Sequence, residues 1–431
     1  MPNLIHKKVI TMQSEVGCTR ISASLLGILE LQTTTEVYIG VIRPVSSEVF
    51  YPIRVMRIIA RMNVGGPAVQ LSGLMRGFNK VEFDQRLYSG NCAVGEADYL
   101  GTVATDIKAH QITGLGRSVR LTSDVFAFIS LVREIRAFKP HVIHTHTAKA
   151  GFLGRLASLF SLYPSIRVHT FHGHLLNGYF TGIKRRLVII AEQLMSLFTH
   201  QLLAVGEKVR QDLLSEHIGK LEKFGLMPPG LELGDLSEKH LAKAQYGLPI
   251  DALHCAFIGR ITRIKRPDRF LDVVAEIKKR QLNIEFFIAG DGELLDSCRE
   301  RIAKEVLPVK ILGWQSNIEQ VLSAADIVIL TSDNEGTPIS LIQAGMASLP
   351  VVTTNVGSIP EVVLNSKTGF VVDIDIQEIA DALQRLVEDS SLRFDMGIAA
   401  KEFTLANFGV NRLVRDHEEL YKKLLANQAM S

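Results

Sequence analysis

Across 431 residues the chain carries 48 Lys and Arg against 45 Asp and Glu, is 47% hydrophobic and holds four cysteines. That length suits two domains rather than one, and the near balance of charge speaks against a nucleic-acid partner. Four scattered thiols without metal spacing (Cys18, Cys92, Cys255, Cys298) point to a reducing compartment and exclude a disulfide scaffold.

Residues 1–52 show no clear period and are expected to form an extension of unassigned role. Within them, residues 21–31 are apolar but short, contain Glu30 and lack a cleavage site, so a signal peptide is not expected. From Ile53 the character changes. Residues 53–60 read as a buried strand, Asn63-Val64-Gly65-Gly66-Pro67 breaks it, and residues 68–78 continue with helical spacing. Glycines at such a junction let a ligand approach the backbone, and the helix start can receive phosphate or sugar oxygens. The run is no G-x-G-x-x-G fingerprint, and a tight turn is the plainer account.

Strand and amphipathic helix then alternate: helix 125–138, strand 141–144, helix 148–160, strand 166–170. That rhythm predicts parallel βαβ units with ligand groups at the carboxyl ends of the strands. Five histidines fall at two of those ends, His144 and His146 after one strand and His169, His172 and His174 around the next. Without carboxylates beside them they do not predict a metal site. His172 reads instead as a polar group on a cleft wall. Residues 184–203 open on Lys184-Arg185-Arg186 and continue as an apolar helix. Such a helix can lie on an anionic bilayer, or it can be a core helix interrupted by Glu192 and His200; both stay open.

The turn-rich stretch 225–234, with Pro228-Pro229-Gly230, leads into a linker near Leu248-Pro249. A second alternating set follows: strand 254–258, helix 268–280, strands 284–289, 309–312 and 327–330, helix 338–347 and strand 350–353. Gly259-Arg260-Ile261-Thr262-Arg263-Ile264-Lys265-Arg266-Pro267 follows its first strand directly. A turn there can aim Arg260 and Lys265 at the cleft, where two cations would neutralise a diphosphate in the ground state and as it leaves. In Glu335-Gly336-Thr337-Pro338-Ile339, Thr337 is placed to cap the following helix and Pro338 suits its first turn. A carboxylate just before a helix N-terminus at the mouth of an α/β sheet suits sugar handling. Asp373-Ile374-Asp375 reads as a cap for the amphipathic helix 378–387 rather than as a metal-holding pair. The chain has no P-loop.

The predicted fold class is α/β, with two doubly wound, Rossmann-like domains facing across a cleft. The expected division is an extension at 1–52, a first Rossmann-like domain at 53–225, a linker at 226–250, a second Rossmann-like domain at 251–400 and a C-terminal helix at 401–431.

These motifs together resemble the GT-B nucleotide-sugar glycosyltransferases, specifically the retaining family 4. The resemblance is carried by Gly65-Gly66, His141-Val142-Ile143-His144 with the segment running on to Gly154, and Phe171-His172-Gly173. Gly259-Arg260 with Lys265, Ala289-Gly290-Asp291-Gly292 and Glu335-Gly336-Thr337-Pro338 complete it. It implies that Arg260 and Lys265 hold the donor diphosphate and that Glu335 contacts the donor sugar, helped by the N–H groups of Gly336, Thr337 and Ile339. By the same resemblance His172 lines the reaction centre, and Gly65-Gly66 sit against donor or acceptor. Gly290, Asp291 and Gly292 with the backbone around Trp314 lie near the nucleotide, and the last helix crosses back to the first domain. One position departs from the pattern: Gln343 stands where the family has a second glutamate for the ribose, which implies altered nucleotide binding.

The function so implied is a hexosyl-type transferase that needs neither metal nor cofactor. It would take a nucleotide-sugar, by family habit a UDP-sugar, and a saccharide or lipid-linked saccharide acceptor, in envelope or capsular polysaccharide synthesis. The expected location is the cytoplasm, with peripheral contact at the inner face of the cell membrane through residues 184–203. Two other readings stay open: another GT-B enzyme, such as a sugar-nucleotide epimerase or a phosphorylase, and a non-catalytic partner subunit.

Overall fold

A computed structural model describes residues 52–93, 96–116, 118–173 and 182–430. The extension expected before the first strand lies outside the described residues but for Pro52, as do Cys18 and His174. Two parallel sheets organise the rest. The first is built from β1 (Ile53–Arg61), β2 (Phe83–Gly90), β3 (Ala109–Gln111), β4 (Val142–His146), β5 (Ile166–Phe171), β6 (Gln201–Ala204) and β7 (Phe224–Leu226). Its spatial order is β3-β2-β1-β4-β5-β6-β7. The second contains β8 (Leu253–Ile258), β9 (Ile284–Ala289), β10 (Val309–Gly313), β11 (Ile327–Leu330), β12 (Val351–Thr354) and β13 (Gly369–Val372). Its order is β10-β9-β8-β11-β12-β13.

The all-parallel pairing explains the near-continuous apolar runs. A parallel sheet is covered by helices on both faces, so inward and outward side chains alike must be apolar. All four residues of β11 are buried, as are five of the six in β8. In each sheet the strand order reverses once, between β1 and β4 and between β8 and β11. A crevice forms at such a switch point, outside the carboxyl ends of the strands. The turns carrying Gly65, Lys265 and Glu335 leave β1, β8 and β11, respectively, at these places.

Several boundaries move from the sequence reading. The helix expected to run on to residue 203 ends at Leu197, and Gln201–Ala204 pairs with β5 as the strand β6. Three polar residues, Thr199, His200 and Gln201, break the apolar run there, and the His200 amide donates to Arg167. The stretch expected as linker holds the helix Lys239–Gln245, and Leu231, Ala242 and Leu248 from it enter the core of the second half. Asp375 caps the helix Ile376–Glu388, accepting from the amides of Gln377 and Glu378 at 2.8 and 3.0 Å. The final helix, Val410–Met430, packs on the helix Gly66–Gly77 of the first half.

Candidate active site

The site is tied together within the second half first. A 3-10 turn at Arg263–Lys265 ends on Arg266, a non-glycine residue in the left-handed region (φ 50°) that reverses the chain just before Pro267. Asp333 pins this loop to the one after β11, meeting Arg269 at 2.6 Å and Arg266 at 3.2 Å, while its amide donates to the Ile264 carbonyl. Lys265 Nζ thereby reaches Glu335 Oε1 at 2.6 Å, and the Ser332 hydroxyl donates to the same oxygen at 2.5 Å. Glu335 is 8% exposed. Its backbone is held from below by Gly357 (φ 56°), where a Cβ would lie 1.9 Å from the Glu335 carbonyl oxygen, so only glycine fits. Arg260, by contrast, presents an exposed side chain on the same loop.

Across the cleft stand the carboxyl ends of the first sheet. The Thr337 hydroxyl does not cap its helix; it donates to the Val205 carbonyl at 3.0 Å, and Pro338 takes the N-cap position of Ile339–Met346. A backbone acceptor left open by the end of β6 competes successfully for that hydroxyl. Gly65 and Gly66 begin the helix Gly66–Gly77 opposite Ile339, with a Cβ on Gly66 falling 3.1 Å from the Ile339 side chain. Gly336 faces Gly173, and a Cβ on Gly336 would lie 2.9 Å from Gly173 Cα and 3.4 Å from the His172 carbonyl oxygen. Glu361 adds a further bridge, accepting from the amides of Glu207 and Lys208 at 2.7 and 3.1 Å, at the start of the helix Glu207–Ser215. A carboxylate suits that end of a helix.

Gly336→Ala puts a methyl into backbone rather than into a flexible side chain, so the halves must stay further apart. We expect kcat/KM to fall by about 10- to 100-fold, corresponding to the ~1–3 kcal/mol of an overpacked contact. The melting temperature should barely move, because opening the cleft relieves the clash. Wild-type kcat/KM in the variant would show that this approach is not needed for turnover.

The histidines divide differently from the sequence reading. His144 and His146 lie inside β4 rather than after it, and with His169 they are fully buried. His172 alone of these four is only partly buried, and its Nε2 lies 2.8 Å from His146 Nδ1. Behind them His144 Nδ1 meets the Tyr421 hydroxyl at 2.5 Å, and His144 Nε2 the Thr170 hydroxyl at 2.7 Å. The fully buried Arg57 guanidinium reaches Tyr421 at 3.0 Å and Gln85 at 2.8 Å. Burial lowers the pKa of His172 to about 4, and burial first, then the neighbouring Arg57, lowers His417 to about 3. His172 is thus neutral at pH 7 and offers a hydrogen bond rather than a charge.

Gly290 and Gly292 follow β9, and Asp291 between them accepts from the Gly292 amide through its side chain and from the Ile261 amide through its carbonyl. That ties the β9 turn to the Arg260 loop. Trp314 follows β10 at 38% exposure, and Gln343 sits half-buried on the helix Ile339–Met346. In the first half a cavity of about 320 Å³ opens beside the Asn63–Gly66 turn, with Ser89, Asn91, Glu96 and Asp98 on its wall. The Ser89 hydroxyl is buried there without a hydrogen-bond partner.

Sequence reasoning missed Ser332, Val205, Gly357, Glu361 and the Arg57–Tyr421–His144 network. Ser332 and Gly357 do carry a signal, since they lie two and three residues beyond the ends of β11 and β12. Val205 acts through its backbone, and Arg57 meets Tyr421 364 residues away, so no local pattern marks them.

Both halves of the chain match known protein families. Residues 64–234 match the model of the family described as Glycosyltransferase Family 4, and residues 239–403 that described as Glycosyl transferases group 1. The chain is 26% identical over 386 residues to the UDP-Gal:alpha-D-GlcNAc-diphosphoundecaprenol alpha-1,3-galactosyltransferase of Escherichia coli, covering 84% of this chain and 97% of that one. It is 23% identical to the capsular polysaccharide biosynthesis glycosyltransferase CapM of Staphylococcus aureus, over 74% of this chain and 85% of the relative. Among solved structures, Alr3699/HepE of Anabaena in complex with UDP superposes with a TM-score of 0.72 at 18% identity, over 86% of this chain and all of that one.

Proposed function

The chain belongs to the GT-B glycosyltransferases, and we propose that it moves a sugar from a UDP-sugar to a hydroxyl of a lipid-linked saccharide, with retention and without a bound metal. The carrying observation is the Lys265–Glu335 pair, 2.6 Å apart at the β8/β11 switch point, with the next residue, Gly336, set against His172-Gly173 across the cleft.

Donor diphosphate lies against Lys265 and Arg260, which stabilise the charge that collects on it. The bond between the anomeric carbon and the phosphate oxygen breaks, and its electron pair stays on the diphosphate. The anomeric carbon develops oxocarbenium-like charge. The acceptor oxygen then forms the new bond on the face the diphosphate leaves, and its proton passes to a phosphate oxygen. Glu335 accepts from sugar hydroxyls, with the amides of Gly336, Thr337 and Ile339 beside it, and neutral His172 bounds the sugar on the other side. Gly290, Asp291, Gly292, Trp314 and Gln343 border the nucleotide. Gly65-Gly66 and the polar cavity beside them receive the acceptor.

The E. coli relative's name supports both the donor nucleotide and a diphospholipid acceptor, and the S. aureus relative's name supports polysaccharide synthesis. The test is nucleotide release from UDP-galactose or UDP-glucose with and without a polyprenyl-diphosphate saccharide. We expect release that depends on acceptor and an α-linked product by NMR. Conversion of the donor into a second sugar nucleotide, with no UDP set free, would favour an epimerase. No release from any sugar nucleotide, with or without acceptor, would overturn the transferase reading.

A further inference from the structure

The helix Gly182–Leu197 is turned the wrong way round for a surface helix. A helix on a globular protein ordinarily turns its apolar stripe to the core and its polar face to water. Here Ile183, Leu187, Ile190, Leu194 and Leu197 are 50–79% exposed. At about 100° per residue all five fall within roughly 40° of one line along the helix. The face turned inward carries Ile189, Glu192, Met195 and Ser196, and Glu192 pairs with the buried Arg155 at 2.6 Å. Lys184 and Arg186 flank the outward stripe on its two sides. Arg185, on the opposite side, is paired with Glu216.

The apolar surface does not stop at this helix. The helix Ala148–Ser161 packs against it and, on its other side, against the helix Leu121–Phe138. The connections from β3 to β4, β4 to β5 and β5 to β6 all run in the same direction along the sheet. Right-handed crossovers therefore put the three helices on one face. Val125, Phe126 and Ile129 of the first are exposed, as is Phe160 of the middle one. Of the acids on these helices, Asp124 is paired with Lys149 at 2.5 Å, Glu192 is buried on Arg155, and Glu134 is half-buried.

We propose that this face docks on an anionic lipid bilayer, with the stripe of Gly182–Leu197 in the acyl boundary and Lys184 and Arg186 at the level of the phosphates. The charge pattern selects this occupant: apolar residues flanked by cations and free of exposed acids fit an anionic interface. The helix starts at the carboxyl ends of the strands, so its basic end lies on the same side of the sheet as His172. The surface would thus bring the cleft to a lipid-borne acceptor. In that respect the inference rests on the acceptor reading above.

The test uses the full chain and two kinds of vesicle, phosphatidylethanolamine with phosphatidylglycerol and phosphatidylcholine alone, in the absence of acceptor. Wild type is expected to co-sediment with the anionic vesicles, and less so as salt rises. Leu187→Glu/Leu194→Glu should weaken partitioning by about tenfold or more, and Lys184→Glu/Arg186→Glu by several-fold. Both variants change exposed residues, so each should keep wild-type turnover with acceptor dispersed in detergent and lose turnover only with acceptor embedded in vesicles. Absence of wild-type binding to anionic vesicles, or equal binding by the variants, overturns the proposal. So does a wild-type dimer that Leu187→Glu/Leu194→Glu makes monomeric, since the face would then join two copies. Binding without transfer to any lipid-linked saccharide would instead refute the acceptor reading and leave the docking surface standing.

Discussion

Lys265→Ala is expected to lower kcat/KM for the nucleotide-sugar by about 30- to 150-fold, the equivalent of ~2–3 kcal/mol for a lost charge-assisted contact to phosphate. It should also destabilise the second half. Lys265 is the cation beside a carboxylate that is almost out of water, and removing one partner of a buried pair costs on the order of 3–5 kcal/mol. The double variant Lys265→Met/Glu335→Gln separates the two effects. With both charges gone, most of the stability should return, measured by urea unfolding, while turnover stays low. Arg260→Ala is the control, because Arg260 is exposed: donor turnover should fall with stability changed by no more than about 0.5 kcal/mol. Full turnover in Lys265→Ala would remove this lysine from the diphosphate.

Acid should unfold the first half at an unusually high pH. His144, His146, His169, His172 and His417 are all held neutral, each by its burial first and then, for all but His172, by neighbouring cations or other histidines. Their folded pKa values lie below the unfolded value near 6.5, so between those limits the unfolded chain binds more protons than the native one. Stability is therefore fully present above about pH 6.5 and drains away as pH falls towards 4. At pH 5 the unfolded chain therefore binds protons at these positions that the native fold excludes, and each such group subtracts from stability. We expect the urea midpoint to drop steeply between pH 7 and pH 5, with uptake of several protons per molecule on unfolding. A midpoint unchanged over that range would mean that the histidines are not held neutral by the fold.

Much of the strand–helix alternation was legible from residue order, because parallel strands buried on both faces announce themselves as short apolar runs. Ile284–Ala289 and Ile327–Leu330 lie where their runs predicted. Loops after strands stood out as candidate ligand positions for the same topological reason, and the structure brings the turns of Gly65-Gly66, His172, Lys265 and Glu335 to one cleft. Helix ends were less legible. Thr337 has the right chemistry for a cap, yet a carbonyl 132 residues away takes its hydroxyl.

Local chemistry and spacing thus determined the class of fold, the switch-point loops and the residue types able to meet a diphosphate and a sugar. Those follow from side-chain period and from where parallel strands end. Only the tertiary structure decided that Lys265 pairs with Glu335, that His144 and His146 are buried behind His172, and that Gly182–Leu197 turns its leucines outward. Each of these depends on which distant surface fills the space beside a residue. A helix of given amphipathicity can be rolled either way by its neighbours, and here the buried Arg155–Glu192 pair marks its inward side.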